Sequence, residues 1–307
     1  MKAQMEMSSR AWGELALLSL IWGGSFLSIR LALDEVPFVT SVAHRVFWAM
    51  LALWLYILLR RLPVPSSPKI WGAFLVMGIL NNVIPFSLMA WGQLHIETGL
   101  TSILNATTAI FGVVVASVVL ADERLTPRRA IGVILGFFGV ATAIGLQNLA
   151  QFDIRSTAQL AVLGGTLSYA FAGAWARKTM AGLSPQVSAA GMLTGATVVM
   201  VPAALVIDGI PSADLSGTTI AAIAYYAIIA TATAYLLYYR VLAMAGSGNL
   251  MLCTLLVAPV AIVLGALVLG EKLAPNAYAG FGLLALGLLI IDGRVLRMLG
   301  RGATKEP

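Results

Sequence analysis

The side chains that could carry out acid–base, nucleophilic or metal chemistry are few in this sequence. Its 307 residues include 2 histidines, His44 and His95, and 1 cysteine, Cys253. There is no HExxH motif and no GxxxxGK[ST] phosphate-binding loop, and the Gly-Ser-Gly triplet at 246–248 lacks the strand and helix of a nucleophile elbow. Because catalysis needs a cluster of nucleophile, base or metal ligands, we expect no enzyme, no metal, no other cofactor and no ATP drive.

Polar residues that could bind a small molecule recur at helical spacing in one apolar stretch. Thr101, Asn105 and Thr108 are separated by four and three residues, which places them on one face of a helix. Such a stripe must face protein or water, since an unpaired polar group in hydrocarbon costs several kcal/mol. Either the stripe lines a cavity, with Asn105 bonding a zwitterionic ligand, or it joins two helices.

Two single polar positions are further candidates. Asn82 follows Asn81 shortly before Pro85, so it either faces a cavity or repairs the backbone at the proline. Arg45 is a lone cation seven residues into an apolar run, roughly 10 Å deep at a helical rise of ~1.5 Å per residue. It either holds a substrate carboxylate or bonds to structural carbonyls.

Aromatic residues also recur at helical spacing. Trp22 and Phe26 lie four apart, as do Tyr235 and Tyr239, and Tyr169 matches Trp22 at an offset of 147 residues. Such faces can stack on a ligand, or they can pack ordinary helices or form an interfacial belt. Trp22 is too deep in its apolar run for a belt, so it is the preferred aromatic wall.

The composition shows what must position these residues. The chain is 60% hydrophobic and 10% charged, with a mean hydropathy of +0.92. A soluble domain carries about 25% charge, so this chain requires lipid as its solvent. We therefore predict an all-α integral membrane protein. The apolar runs predict ten spans, at 11–32, 38–59, 70–92, 98–120, 127–147, 158–177, 185–207, 218–240, 247–269 and 275–293.

Lysine and arginine are distributed unevenly between the two sides that these spans define. One side receives 15 of them, namely Lys2, Arg10, Arg60, Arg61, Lys69, Arg124, Arg128, Arg129, Arg177, Lys178, Arg240, Arg294, Arg297, Arg301 and Lys305. The other side receives 3, namely Arg30, Arg155 and Lys272. Cytoplasmic loops are enriched in positive charge, so both termini are predicted to be cytoplasmic.

The two halves of the chain repeat each other at an offset of 148 residues. The charged loop at 120–132 aligns with that at 269–280, which matches Glu123 with Glu271 but loses three arginines. Five spans per half would insert the second copy upside down, and inverted repeats are the usual build of alternating-access transporters. The predicted domains are 1–147 and 158–293, with a periplasmic linker at 148–157 and a cytoplasmic tail at 294–307. The repeat pairs Thr101 with Asn249 and Asn105 with Cys253.

Several stretches together resemble a known family. They are Trp22-Gly23, Pro37 followed by Arg45, the loop at 120–127, and the run at 235–273. In this order they resemble the drug/metabolite transporter superfamily, in its ten-span branch with two EamA-type repeats, and above all bacterial exporters of amino acids, including aromatic ones. The resemblance implies a ten-helix basket in the bacterial inner membrane, with spans 5 and 10 peripheral and the others around a cavity. It also favours a structural Arg45, since that arginine recurs whatever the members carry.

The resemblance and the residues together predict a secondary transporter. We expect it to export amino acids or similar small metabolites by alternating access, with purine-type metabolites or lipophilic cations as alternative substrates. None of the thirteen acidic residues lies near the middle of a span, which favours uniport or exchange over proton coupling. The expected partners are the substrate and the lipid bilayer, without nucleic acid. An intramembrane enzyme or a channel is the alternative class, but no charged ring or filter loop is present.

Two local features complete the expectations. Phe111 stands where the family often has a proline, as Pro259 does in the second half, so a kink expected there should be absent. Gly132 and Gly136 form a GxxxG pattern, which indicates close helix packing. A monomer is expected, with a homodimer through this pattern as the alternative.

Overall fold

The described part of the chain is helical throughout. The computed structural model describes residues 7–96, 98–269 and 275–292, and these contain no β-strand. The α-helices are α1 (Ser9–Ala32), α2 (Phe38–Leu59), α3 (Pro68–Gly78), α4 (Ile84–Gln93), α5 (Thr98–Val119), α6 (Pro127–Ile144), α7 (Thr157–Thr179), α8 (Pro185–Ile207), α9 (Gly217–Ala224), α10 (Ala234–Ala245), α11 (Ser247–Leu250), α12 (Cys253–Leu269) and α13 (Pro275–Asp292). A 3₁₀ turn at Leu146–Gln151 follows α6.

Local sequence explains where several of these helices begin. The Ser8 hydroxyl accepts the Ala11 amide at the start of α1, and Ser156 and Ser184 do the same for α7 and α8. Hydroxyl side chains at this position satisfy amides that have no partner inside the helix. Pro127 and Pro185 occupy first positions, where a missing N–H costs nothing.

Two of the long helical stretches, α3 with α4 and α9 with α10, contain π-helical segments. Ile79–Val83 joins α3 to α4, and Tyr225–Thr233 joins α9 to α10. Each π turn inserts a residue and leaves backbone groups without regular helical partners. Within the second segment, the Tyr226 carbonyl accepts the Thr231 hydroxyl at 2.7 Å.

The predicted boundaries agree with the helices within a few residues, but three predicted spans are not regular helices. Those at 70–92 and 218–240 contain the π segments, and that at 247–269 is divided into α11 and α12. Hydropathy cannot reveal these changes because they leave the apolar run unbroken. At Phe111, α5 continues as one α-helix from Thr98 to Val119.

Helices α6 and α13 pack closely against each other through glycine. A side-chain carbon added to Gly139 would lie 2.5 Å from the Leu284 nitrogen, and one added to Gly132 would lie 2.7 Å from the Gly287 oxygen. Only glycine allows backbones to approach this closely. The GxxxG face of Gly132 and Gly136 is thus used for packing within the chain.

Contacts between helix ends sort the loops into two faces. At one face Trp12 Nε1 donates to Asp292 Oδ1 at 3.0 Å, joining the start of α1 to the end of α13, and Arg240 of α10 pairs with Glu14 in the first turns of α1. At the other, Thr40 at the start of α2 donates to Asp208 after α8. We call the first the arginine-rich face, because it carries Arg10, Arg60, Arg61, Lys69, Arg124, Arg128, Arg129, Arg177, Lys178 and Arg240, and the second the opposite face.

The outer surface of the helices is suited to lipid. Large apolar side chains such as Leu58, Val118 and Val206 are largely exposed, although apolar groups of a soluble protein are mostly covered. Within the described residues, seven helical segments are long and apolar enough to cross a membrane. The fold is therefore that of a helical membrane protein.

Candidate functional site

A cavity of about 140 Å³ lies between the helices, beside both π segments. This volume is close to that of an engineered cavity of ~150 Å³ that holds one benzene molecule. Its lining comprises Trp22, Ser25, Ile29, Leu33, Phe38, Ser41, Val42, Arg45, Asn81, Phe86, Met89, Ala90, Asn105, Thr108, Tyr169, Tyr226, Tyr235, Tyr238, Met251, Cys253, Thr254 and Val257. Leu33, Phe38 and Ala90 lie at helix ends on the opposite face, so the cavity extends toward that face.

Arg45 supplies a positive charge to this wall. Its Nε donates to Thr231 Oγ1 at 2.8 Å, and Nη2 reaches the Ala230 carbonyl at 3.5 Å, so the second π segment orients the guanidinium. The Arg45 Cζ lies 4.0 Å from the centre of the Phe86 ring, a cation–π distance. All of these partners are neutral, and no ion pair joins Arg45 to an acid within the described ranges.

Trp22 forms the aromatic wall that the sequence predicts. Its indole nitrogen donates to the Ala230 carbonyl at 2.9 Å, the same carbonyl that Arg45 reaches. The ring contacts Tyr235 edge-on at 6.3 Å and Tyr238 at 6.4 Å between centroids. The bond fixes one end of the indole and leaves its ring as cavity surface.

Tyr235, near the start of α10, connects that helix to the first π segment. Its hydroxyl donates to Asn82 Oδ1 at 2.6 Å and accepts from Asn81 Nδ2 at 3.2 Å. Of the two asparagines, Asn81 lines the cavity and Asn82 is buried behind it. The predicted candidate Asn82 thus supports Tyr235 and does not line the cavity itself.

The polar stripe on α5 reaches the cavity in part. Asn105 and Thr108 line it, whereas Thr101 is buried outside the lining. The Thr108 hydroxyl is fully buried and has no hydrogen-bond partner among the described atoms. The neighbouring Thr107 differs, because it bonds to Thr166 Oγ1 at 3.1 Å and joins α5 to α7.

The remaining predicted residues divide between the cavity and its surroundings. Tyr169 and Cys253 line the cavity, and Tyr169 packs edge-on against Phe86. Tyr239 points away, and its hydroxyl contacts the sulfur atoms of Met180 and Met192. The side chain of Phe26 lies outside the described residues.

Several lining residues are not among those that sequence reasoning selected. Tyr226 shares a hydrogen bond with Ser41 across α2 and the second π segment, and Phe86 lies under Arg45. Tyr238 lines the cavity with a buried hydroxyl that has no partner in the described part of the chain. The many aromatic residues between positions 225 and 239 were the sequence signal that could have pointed to Tyr226 and Tyr238. In an apolar helix, however, hydrophobic periodicity does not separate the face toward a cavity from the face toward lipid.

On the arginine-rich face, a cluster around Glu123 joins several elements. Its carboxylate accepts the amides of Ser247 and Gly248, each at 2.7 Å, and Arg177 lies 3.7 Å away. Arg129 donates to Asn249 Oδ1 at 2.9 Å. We call these residues the Glu123 cluster. It ties the α5–α6 connection and α7 to α11, directly beyond the deep end of the cavity.

Gly246 shows how tightly this cluster is built. Its φ of +84° lies in the left-handed region that favours glycine. An added side-chain carbon would also lie 2.7 Å from Glu123 Oε1. The repeat partner Glu271 lies outside the described residues.

On the opposite face, the α1–α2 and α8–α9 connections are bonded to each other. The Ser216 amide donates to Glu35 Oε2 at 2.9 Å. Hydrogen bonds from the side chain and the backbone of Ser216 lower the pKa of Glu35, because they favour the charged carboxylate. This contact lies between loops, and Glu35 is not part of the cavity lining. The described lining contains no acidic residue.

Comparison with protein families decides the class of the protein. The sequence profile of the EamA-like transporter family matches residues 12–145 and, a second time, residues 156–292. The chain belongs to the EamA-like transporter family. This confirms the resemblance found in the sequence. The protein is thus a multi-pass membrane protein, and its family is one of transporters and not of enzymes.

Three relatives of this EamA-like transporter match over almost their whole length. The "Uncharacterized transporter YoaV" of Bacillus subtilis is 20% identical, with 89% of this chain and 93% of the relative covered. The "Probable terminal-alkyne amino-acid exporter" of Streptantibioticus cattleyicolor is 26% identical, with 95% and 96% covered. The "Probable amino-acid metabolite efflux pump" of Escherichia coli is 26% identical, with 92% and 95% covered.

The fold of this EamA-like transporter also occurs in a solved structure. A protein of known crystal structure superposes with a TM-score of 0.77, at 15% identity, over 93% of this chain and 97% of the other. At this identity the likeness concerns the fold alone.

Proposed function

We propose that this protein exports amino acids or similar small metabolites by alternating access. The observation that carries the proposal is the cavity, which combines one cation, neutral hydrogen-bonding groups and an aromatic wall in the middle of an apolar helical protein. Such a mixed lining suits small amphipathic solutes. Relatives named as amino-acid exporters support the same substrate class.

The membrane arrangement that we propose has ten spans in two inverted repeats. Besides the seven apolar segments, α1 and α7 are long enough to cross, with 24 and 23 residues, and α11 with α12 forms the tenth. The π segments at Ile79–Val83 and Tyr225–Thr233 start at matching points of the two halves. The positive charge of the arginine-rich face supports a cytoplasmic location for it in a bacterial inner membrane.

In this orientation the structure corresponds to an outward-facing state. The cavity extends toward the opposite face, while the Glu123 cluster closes the cytoplasmic side. Trp22, Arg45, Asn105, Thr108, Tyr169, Tyr235 and Cys253 are the proposed substrate contacts from the predicted set. Helices α6 and α13 contribute none of the described lining, so they serve as a rigid pair at the periphery.

The cavity also bears on the alternatives and on energy coupling. A lipophilic cation would meet Arg45 without an acidic partner, so this substrate class is disfavoured. Purine-type metabolites remain the alternative, because the amides of Asn81 and Asn105 can bond to base edges. Since no acid lines the described cavity wall, we propose uniport or exchange by a monomer, without obligatory proton coupling.

The proposed function is tested by counterflow in proteoliposomes, with labelled amino acids and purines. We expect saturable counterflow of amino acids or their derivatives, and a rise in KM of roughly 5- to 100-fold in Trp22→Ala and Asn105→Ala, because each change removes a buried contact. Trp48→Ala serves as the control, since Trp48 is exposed on the outer surface. Counterflow limited to purines would establish the alternative, and unchanged kinetics in both cavity variants would place the transport site elsewhere.

A further inference from the structure

The charge balance of the cavity carries an inference about its substrate. Arg45 is the only charged residue in the described lining, and its hydrogen-bond partners are the Thr231 hydroxyl and the Ala230 carbonyl. An arginine has five N–H donors, and these two bonds leave three without a partner in the described chain. An uncompensated charge inside a membrane protein is costly unless an anion pairs with it.

The rest of the described lining offers no negative charge that could pair with a positive one. Among the described lining residues, the buried hydroxyls of Thr108 and Tyr238 have no hydrogen-bond partner. Asn105 adds a neutral amide beside them. These groups bond well to an uncharged hydroxyl, carbonyl or amide. They do not neutralise an ammonium group, because none of them carries a negative charge.

Counting charges separates two substrate classes. A zwitterion adds no net charge and would leave the described lining, once occupied, at +1. A monoanion brings it to zero, and its carboxylate suits the planar guanidinium fork of Arg45. The aromatic surface of Trp22 and Tyr235 would then cover an apolar body of about the size of one ring.

We propose that the transported substrate is an amphipathic organic monoanion, in which a carboxylate is attached to one ring or a branched apolar group without a free ammonium. This rests on the proposed export function and selects, among amino-acid-like metabolites, those whose nitrogen is absent or acylated. Arg45 binds the carboxylate, and Thr108, Tyr238 and Asn105 bind a neutral polar group. A cell interior at negative potential expels such an anion, so uniport exports it without a coupled proton.

The first test compares matched solutes in proteoliposomes that contain the full-length protein. Phenylalanine, N-acetylphenylalanine, 3-phenylpropanoate and phenethylamine are each tested in two ways. Each is tested as a labelled substrate of counterflow, and each is tested unlabelled as a competitor of whichever labelled solute is transported. We expect at least tenfold tighter competition by the two monoanions than by phenylalanine, and none by the amine. Equal or tighter competition by phenylalanine overturns the monoanion proposal and leaves amino-acid export intact. Counterflow supported by none of the four, with purines active, overturns both proposals.

The second test measures the charge that moves. A potassium gradient with valinomycin sets the membrane potential, and a monovalent anion should distribute by about tenfold for every 59 mV. We expect accumulation of 3-phenylpropanoate on the positive side. Accumulation that does not respond to potential overturns electrogenic uniport of a monoanion.

Variants connect this selectivity to named residues. Arg45→Gln should abolish preference for the carboxylates, and Arg45→Lys should weaken their binding because it keeps the charge but loses the fork. Asn105→Asp should raise competition by phenylalanine and lower that by 3-phenylpropanoate, since it supplies the missing negative charge. Arg155→Gln on the opposite face is the matched control for loss of an exposed cation. An Asn105→Asp variant that folds and keeps the original preference contradicts the charge argument.

Discussion

At the scale of single residues, the cavity holds polar groups in two distinct conditions. Some are fully bonded, as Tyr235 is between Asn81 and Asn82, and these fix the shape of the wall. Others, such as the hydroxyls of Thr108 and Tyr238, are buried without a partner among the described atoms. An unsatisfied buried hydroxyl costs ~1–3 kcal/mol, so such groups indicate a role in function.

Thr108 and Thr107 allow this difference to be measured on adjacent residues of α5. Thr108→Val removes a hydroxyl without a described partner, so we expect unchanged or slightly higher thermal stability in detergent. Transport should nevertheless weaken, with KM raised roughly 5- to 100-fold if the hydroxyl bonds to substrate. Thr107→Val should instead lower stability by about 1 kcal/mol, because it breaks the bond to Thr166. Normal transport by Thr108→Val would show that this hydroxyl has no part in binding.

Residue types were easier to predict from the sequence than the direction in which they point. Tyr235 and Tyr239 lie four apart and were predicted on one face, yet Tyr238 lines the cavity and Tyr239 does not. At 3.6 residues per turn, both neighbours lie within about 60° of Tyr235, on either side of it. Only the packing of α10 against α8, where Tyr239 contacts Met192, decides which side faces the cavity.

At the scale of helices, apolar length was sufficient to place the elements. The bounds of α2 and α8 are those that the sequence predicts. The π segments and the break between α11 and α12 were not predictable, because adding one residue to a turn changes neither length nor hydropathy appreciably. These irregular turns are also what brings Ala230 and Thr231 to Arg45.

The contact between α6 and α13 gives a direct test at this scale. Gly139→Ala should destabilise the protein by about 1–3 kcal/mol, since the new methyl would lie 2.5 Å from the Leu284 nitrogen. Gly282→Ala on α13 is the matched control, because nothing lies within 4 Å of its added carbon and helix propensity improves. Thermal unfolding in detergent measures both. Equal stability of the two variants would contradict the tight packing of this pair.

The Glu123 cluster gives a second test, which concerns motion of elements. Glu123→Ala removes the acceptor of the Ser247 and Gly248 amides, so α11 should separate more often from the α5–α6 connection. We expect Cys253, the single cysteine, to react several-fold faster with a small thiol reagent added from the arginine-rich face of oriented vesicles. Glu35→Ala is the control, because Glu35 holds the Ser216 amide on the opposite face. A rate that stays at the parental level in Glu123→Ala would show that the cluster does not limit access.

At the scale of the whole molecule, the positive charge is concentrated on one face and the cavity extends toward the other. The arginine-rich face carries the Glu123 cluster, and the cavity extends toward the face that carries Asp34, Glu35, Asp208 and Asp214. If positive charge marks the cytoplasm, the cavity of this conformation faces the outside of the cell. A negative interior expels an anion through a uniporter in either orientation, so topology decides only which side of the membrane the described cavity faces.

Topology is measured with single cysteines in a Cys253→Ser background. Ser66, in the exposed loop between α2 and α3, lies on the arginine-rich face, and Ala213, in the exposed loop before α9, lies on the opposite face. In intact cells we expect an impermeant maleimide to label Ala213→Cys and to label Ser66→Cys only after the membrane is opened. The positive-inside rule requires this order, because the face that carries Ser66 is rich in lysine and arginine and the face that carries Ala213 is not. Both residues are exposed, so accessibility to the reagent does not explain a difference in labelling. Labelling of Ser66→Cys alone in intact cells would invert the protein, and the cavity would then open to the cytoplasm. Export would in that case begin from the conformation described here, and the Glu123 cluster would close the outer side.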